Sequence, residues 1–411
     1  MIKDKKFLFN FSKILGAAFI AQVIPVSISP VISRIYSIED IGVQGVIFSI
    51  VGFFWIFSTL RYDNVIIIDR LINPIRNFIT VKKITVITSI FLTVIFILFI
   101  NQLSEYFNLN EPLVLLMVPL IVYINASYEL LIIYNNRVKN FDNIARIKLF
   151  QSSISGTFQL VFGFMGFNYF GLILAPLISK FLPYFKSKLF RIYFIKPKLN
   201  KKDFFLIDKY KKFPLFDLPS NLINNLSLQL PIIFLASNYS LAISGAYFMT
   251  QRVLQIPITL ISHSFLEVFK EKICNPENKF QLRKIMFDSL ILILISSFVP
   301  FVLLFIFIED LIIIFLGENW IMAAKFGKIL VPSLFFRFIS YPLSYIILLK
   351  QKQQINLIFN IISLVIVVLL FSLKIDVFSL VVKLSILFSV QSIIKILYSF
   401  SLTKNNSNIE I

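Results

Sequence analysis

Apolar residues arrive in twelve long runs, and the loops between those runs alternate sharply in charge. This pattern constrains the fold more than any motif does. The runs cover 11–33, 43–60, 84–100, 112–134, 149–167, 171–190, 213–236, 243–269, 285–308, 321–349, 355–371 and 377–400. Each is close to the ~20 residues a helix needs to cross ~30 Å of hydrocarbon. With 58% hydrophobic and 15% charged residues, the chain has too little polar surface for a soluble domain of 411 residues. The basic start followed by an apolar run reads as a retained first span, since the run is too long for a signal segment and lacks a cleavage site.

The formal charge of +19 is explained by where the bases sit. They gather before and within the first run (Lys3, Lys5, Lys6, Lys13), then at Arg61 to Lys83, Arg137 to Lys148, Lys186 to Lys212, Lys270 to Lys284, Lys350 with Lys352, and Lys395 with Lys404. The intervening loops "NQLSEYFNLNEP", "GFNYFG", "ASNYSLAISG" and "EDLIIIFLGENW" carry no Lys or Arg. The positive-inside rule then places both termini in the cytoplasm. The surplus sets topology and is not a nucleic-acid face, which needs clustered bases with stacking groups. A single cysteine, Cys274, excludes an intramolecular disulfide framework and any multi-cysteine metal site. No metal and no cofactor is expected.

The longest basic loop lies at the chain's midpoint, and it divides the sequence into 1–190, a linker 191–212, and 213–411. Each flanking part holds six runs, and the Pro30…Gly45 and Pro231…Gly245 pairs echo one another. An even number of spans per half makes this a parallel repeat.

Inside the runs, polar residues fall at helical spacing. Between Gly245 and Ser262 the only charge is Arg252, which with Gln255, Thr259 and Ser262 forms a stripe at offsets 0, +3, +7 and +10. The tenth run repeats this with Ser333, Arg337, Ser340 and Ser344 at 0, +4, +7 and +11. The seventh holds Ser220, Asn221, Asn224, Asn225 and Ser227, and interior lysines occur at Lys180 and Lys383. Cations at span ends, such as Arg34, Lys325, Lys328 and Lys395, are read as snorkelling to the interface. Arg252 and Arg337 lie too deep for that, ~14 and ~24 Å along their helices at ~1.5 Å per residue. Acids at that depth are scarce, since Asp217, Glu129 and Glu267 lie nearer cytoplasmic ends and Glu309 and Asp310 nearer the opposite ones. Deep cations outnumbering deep acids predict a hydrated electropositive cavity for an anion. Its expected lining is Arg252, Arg337, Lys180 and Lys383, with Gln255, Ser340, Asn221 and Asn224 as polar supports. His263 is either a proton relay or a packed neutral imidazole, and the second reading is preferred. Asp217 is either a coupling-ion ligand with Asn221 and Asn224 or the cap of the seventh helix.

Several stretches resemble a known family. "YKKFPLFDLPSNLINNLSLQLPIIFLA" resembles the entry into the seventh span of Wzx-type polysaccharide and O-antigen flippases, members of the multidrug/oligosaccharidyl-lipid/polysaccharide exporter superfamily. "SGAYFMTQRVLQIPITLI" resembles their eighth span, "SPVISRIYSIEDIGVQGV" with "LRYDNVIII" their first two, "NNRVKNFDNIARIKLFQS" their fourth loop, and "VPSLFFRFISYPLSYIILLKQKQ" their tenth span. The order is kept along essentially the whole chain. An acid at the position of Asp217 departs from the usual pattern, and the last two spans match in hydropathy only.

The resemblance implies an all-α polytopic membrane protein, with 12 transmembrane helices in two six-helix bundles around a central cationic lumen. It also implies alternating access and a multi-pass location in the bacterial inner membrane. The implied passenger is an undecaprenyl-diphosphate-linked oligosaccharide, flipped from the cytoplasmic to the periplasmic leaflet, with membrane lipids and polysaccharide polymerase or chain-length machinery as partners. The alternatives are a multidrug or cation exporter of the same superfamily, a membrane O-antigen polymerase or glycosyltransferase, and a non-transporting scaffold. An exporter is expected to carry deep acids. An enzyme is expected to carry a large extramembrane domain or a clustered His/Asp/Glu set, and neither is seen in the sequence.

Overall fold

The structure is a computed structural model and describes residues 5–69, 73–107, 111–187, 199–257, 261–274, 282–350, 352–373 and 375–403. Among these residues there is no strand. The helices are α1 (Lys5–Ile35), α2 (Ile38–Ser58), α3 (Asp63–Ile68), α4 (Pro74–Leu98), α5 (Ile100–Tyr106), α6 (Met117–Arg137), α7 (Phe141–Phe164), α8 (Asn168–Lys186), α9 (Lys201–Lys209), α10 (Leu218–Asn238) and α11 (Leu241–Pro257). They continue with α12 (His263–Cys274), α13 (Leu282–Leu316), α14 (Ile321–Leu343), α15 (Tyr345–Leu349), α16 (Gln353–Ser372) and α17 (Val377–Ser401).

The described part of each expected span falls on one of these helices or on consecutive ones, with 188–190 at the end of the sixth and 258–260 between α11 and α12 outside the described residues. Among the described residues, 7 helices are long and apolar enough to cross a membrane. They correspond to α2, α4, α6, α13, α14, α16 and α17. The expected count of twelve is not reproduced by this criterion. The polar residues of α7, α8 and α10 dilute their hydropathy, and α11 is 17 residues long.

Local sequence sets where the helices begin. Ser37 accepts a bond from the Asp40 backbone N at 3.0 Å while the Asp40 carboxylate accepts from the Ser37 N at 3.1 Å, a reciprocal cap that starts α2. The other Asp40 oxygen accepts the backbone N of Tyr169 at 2.9 Å and so ties the start of α8 to the start of α2. Asn73 caps α4 ahead of Pro74, and Asp376 caps α17. In α13 the buried residues Leu282, Met286, Ser289, Ile293, Ser297, Phe301, Ile308, Ile312 and Leu316 follow one helical face. The opposite face leaves Ile295 and Ile314 72% and 74% exposed, as expected of a helix whose solvent on that side is hydrocarbon.

The chain packs as two compact units, 1–245 and 246–411. In the first, α1 lies on α7, α7 on α8, α4 on α6, and α10 on α2. In the second, α14 lies on α13 and α17. The sequence division at the linker (1–190, 191–212, 213–411) therefore differs from the packing division, which places α10 and the first turn of α11 with the first unit. Glycine explains the close approach. A Cβ on Gly42 would strike the Leu241 carbonyl, and one on Gly245 would strike the Ile38 carbonyl and come within 2.8 Å of the Gly42 nitrogen. A Cβ on Gly52 would sit 3.0 Å from Gln229 Nε2. In hydrocarbon, where apolar side chains gain little by leaving lipid, such small-residue contacts let backbones approach and pack.

Candidate functional site

In the second unit, hydroxyl groups hold the helices together. Thr250 Oγ1 on α11 donates to the Ala323 carbonyl on α14 at 2.9 Å, Ser262 Oγ to Phe338 O at 2.9 Å, and Ser385 Oγ on α17 to Ile329 O at 2.7 Å. Ser333 and Ser344 donate to carbonyls of their own helix, Leu330 and Tyr341, at 2.7 and 3.0 Å. These members of the two polar stripes are spent on packing and are not offered to a passenger. Ser340 is buried, Gln255 is half-buried, and Thr259 lies outside the described residues.

The cations behave differently. Arg252 on α11 and Arg337 on α14 are both half-buried. Among the described residues, neither has an acid within ion-pairing distance. Arg337 instead lies within electrostatic reach of Tyr247, Tyr341 and a second cation, Lys395. Lys395 Nζ donates to Asn360 Oδ1 at 3.3 Å, and Gln391 Nε2 donates to the same oxygen at 3.4 Å. Lys395, expected to snorkel to the interface, is half-buried on α17 and within electrostatic reach of Arg337. Lys383 is exposed on α17, off the face formed by Leu380, Val381 and Leu384. Like charges gathered in a low-dielectric setting without carboxylates are costly unless an anion or water compensates them.

In the first unit, Lys180 lines a cavity of about 320 Å³ formed by α2, α6 and α8, whose other polar lining residues are Trp55, Asn125 and Glu129. Glu129, taken from the sequence as an acid near a helix end, faces the same cavity as Lys180 and lies within its electrostatic reach. A second, smaller cavity of about 80 Å³ shares Trp55 and Glu129 and continues to Thr59, Arg61 and Asp63. Sequence reasoning missed Trp55 and Asn125. The signal was present in the i, i+4 spacing of Asn125 and Glu129, which puts both on one face of α6.

Asp217 precedes α10 but makes no side-chain cap bond. Its Oδ2 accepts Arg61 Nε at 2.7 Å and Asn64 Nδ2 at 3.3 Å, and its Oδ1 accepts Asn221 Nδ2 at 3.0 Å. Both oxygens and the Asn221 amide are thus engaged by this chain's own donors, and Asn224 is exposed. Leu60 and Arg61 hold φ of 48° and 64°, the left-handed turn that aims the guanidinium at Asp217. Nearby, α9 docks by Asp203, which accepts Lys83 Nζ at 2.7 Å and Thr80 Oγ1 at 2.7 Å. Lys82, one residue away, is buried against the rings of Tyr123 and Tyr184, 3.9 and 4.7 Å from their centroids, with Ser127 Oγ as its hydrogen-bond partner.

Helices of membrane-crossing length, in both units, define a multi-pass membrane protein. A family model described as "Polysaccharide biosynthesis protein" matches residues 31–325, and the chain belongs to that family. Its fold is that of transporters of the MOP superfamily. A structure of lipid II flippase MurJ in an inward closed conformation is similar at 17% identity, over 95% of this chain and 87% of that one, with TM-score 0.72. An inward-facing multidrug resistance MATE family transporter is similar at 14% identity over 95% and 96%, TM-score 0.66. A MOP superfamily transporter from Pyrococcus furiosus, reported with reversed polarity of its binding pocket, is similar at 12% identity over 96% of each chain, TM-score 0.58. No curated protein sequence matches.

Proposed function

We propose that this protein is a Wzx-type flippase that carries an undecaprenyl-diphosphate-linked oligosaccharide, an O-antigen or capsule repeat unit, from the cytoplasmic to the periplasmic leaflet of a bacterial inner membrane by alternating access. Both termini lie in the cytoplasm in this reading, and polymerase or chain-length proteins receive the product. The observation that carries it is the pair Arg252 and Arg337, half-buried within helices and without a carboxylate partner among the described residues. A diphosphate entering hydrocarbon must exchange its hydration for fixed donors, and guanidinium forks match phosphate oxygens in pairs. The polysaccharide biosynthesis family and the likeness to a lipid II flippase support the same passenger class.

One observation favours the alternative, a cation or multidrug exporter. Glu129 is a deep acid facing a cavity in the first unit. Lys180 lines the same cavity and balances its charge, so the net field there does not select cations.

Export of the lipid-linked glycan and protein abundance, measured on the same membranes, test the reading. Arg252→Ala removes charged hydrogen bonds worth about 1.5–3 kcal/mol and should slow export roughly ten- to a hundredfold at normal abundance. Arg252→Lys should keep part of the activity, having the charge without the fork. Full export by a well-expressed alanine variant would overturn the reading.

A further inference from the structure

We propose that the cavity lined by α2, α6 and α8 is a sugar-binding subsite, in which Trp55, Asn125, Glu129 and Lys180 contact a ring of the glycan. The proposal rests on the flippase reading and adds a second, chemically distinct recognition point to it.

The cavity lies wholly within the first unit, and its volume of about 320 Å³ falls at the lower end of the roughly 300–1,000 Å³ range of small-molecule sites, enough for a single sugar ring. Most of its wall is apolar, and four half-buried polar side chains interrupt that wall. Among the described residues, none of the four makes a side-chain hydrogen bond or ion pair, although hydroxyl groups on the same helices are bonded, as Ser127 is to the Tyr123 carbonyl and Ser179 to Pro176 O. Unspent donors and acceptors inside a membrane helix bundle are costly unless water or a ligand uses them.

The set fits a polyol. A carboxylate accepts from two neighbouring hydroxyls, a carboxamide both donates and accepts, and an ammonium donates to ring or hydroxyl oxygens. A tryptophan supplies a flat apolar face for the C–H side of a pyranose and an N–H at its edge. Charge argues against the other occupants. A diphosphate would meet the Glu129 carboxylate, and a lipophilic cation would meet the Lys180 ammonium. A neutral ring with many hydroxyls is attracted by both.

The chain has two tryptophans, and Trp320 is buried in the second unit, so a Trp320→Phe protein leaves Trp55 as the only indole reporter. The full-length protein in lipid nanodiscs is titrated with three probes: the free oligosaccharide repeat released by mild acid from the host's surface polysaccharide, inorganic pyrophosphate, and tetraphenylphosphonium. The expected result is a saturable change in Trp55 emission with the oligosaccharide alone. Glu129→Gln, which keeps shape, and Asn125→Ala should each weaken that titration about tenfold, as loss of a hydrogen bond to a charged or polar group does. If one variant fails to accumulate, the other carries the test. Silence towards the oligosaccharide overturns the subsite, and if Arg252→Ala still abolishes export, the flippase reading stands without it. Saturation by tetraphenylphosphonium with silence towards the sugar overturns both.

Discussion

The Asp203 carboxylate makes the buried charged contact between α9 and the rest of the first unit, so Asp203→Asn should loosen the helix. Asp203 accepts from Lys83 Nζ, from Thr80 Oγ1 and from the Asn200 backbone N at 2.7, 2.7 and 2.8 Å. The two charged side chains are only 10% and 7% exposed, so this is a buried pair. Breaking such a pair from one side costs about 3–5 kcal/mol, because the surviving charge is stranded. An asparagine still accepts from Thr80, which returns about 1 kcal/mol. The net loss is therefore about 2–4 kcal/mol. What remains to hold α9 is the buried Leu206, worth about 1.5–3 kcal/mol, with Ile207 packed beside it, the bond from Tyr62 Oη to the Ile207 carbonyl at 3.1 Å and the ion pair of Lys209 Nζ with Asp69 Oδ2 at 3.6 Å. The loss is a large share of what holds the helix, so opening becomes more frequent. Amide hydrogen exchange across Lys201–Lys209 in the full-length protein should accelerate roughly thirty- to a thousandfold. The pair Lys83→Met with Asp203→Leu should restore slow exchange, since no charge is then stranded. A change below about threefold in Asp203→Asn would refute the argument, since it would mean that less than ~1 kcal/mol was lost. The pH dependence has a definite sign. Burial pushes the Asp203 carboxyl up, but the bonds from Lys83, Asn200 and Thr80 outweigh it and hold the group below its ordinary value. A depressed carboxyl stabilises the docked state above the ordinary aspartate range of ~3.9 and loses that contribution only as pH falls through the lower folded value. Protection of α9, its exchange rate taken relative to the intrinsic rate at each pH, should therefore be flat from neutral to mildly acid pH and fall only below that range.

Three further outcomes are expected. Gly42→Leu or Gly245→Val should cut membrane abundance sharply, because the new side chain meets backbone carbonyls, whereas Gly16→Ala, with nothing within 4 Å, should match wild type by immunoblot. Lys82→Met should leave abundance and thermal stability within about 1 kcal/mol of wild type, since a buried ammonium held by rings and a hydroxyl is replaceable by an apolar group of similar size, and a collapse of either would assign Lys82 an essential charge. Reporter fusions at Phe107, Asn238 and Asn319 should read periplasmic and fusions at Asn73 and Lys202 cytoplasmic, and a cytoplasmic signal at Asn238 would break the topology.

What the sequence made legible was local or periodic. Apolar runs located the helices because crossing hydrocarbon demands length and apolarity from consecutive residues. The Ser37–Asp40 cap and the Asn73–Pro74 start are visible in four-residue windows. Two kinds of information were not legible. The first is long-range pairing: Arg61, read as a loop charge, meets Asp217 across 156 positions, and Lys83, read likewise, meets Asp203 across 120. The second is what a polar group is spent on. Ser262, Ser333 and Ser344 share stripes with the arginines, yet their hydroxyls close bonds to carbonyls, at 2.9, 2.7 and 3.0 Å. A helical stripe records which residues share a face. It does not record whether that face meets a neighbour, lipid or passenger.

That distinction separates the candidate residues in physical terms. A serine hydroxyl can satisfy itself on the backbone one turn away, so its presence in a span implies little about transport. An arginine has five donors and no acceptor, and cannot be silenced in this way. In the first unit the deep cation Lys180 has Glu129 as a counter-charge on the same cavity, so it can be retained there without an anion. In the second unit Arg252 and Arg337 have no described carboxylate, and Lys395 adds repulsion. Retaining that arrangement costs stability with every molecule folded, and packing alone gives it no return. On the proposed reading, a passenger carrying both a diphosphate and neutral sugars accounts for both environments: its phosphates would compensate the guanidinium groups, and the balanced Trp55–Asn125–Glu129–Lys180 set would offer hydrogen bonds without selecting charge. A passenger that was only a lipophilic cation would account for neither.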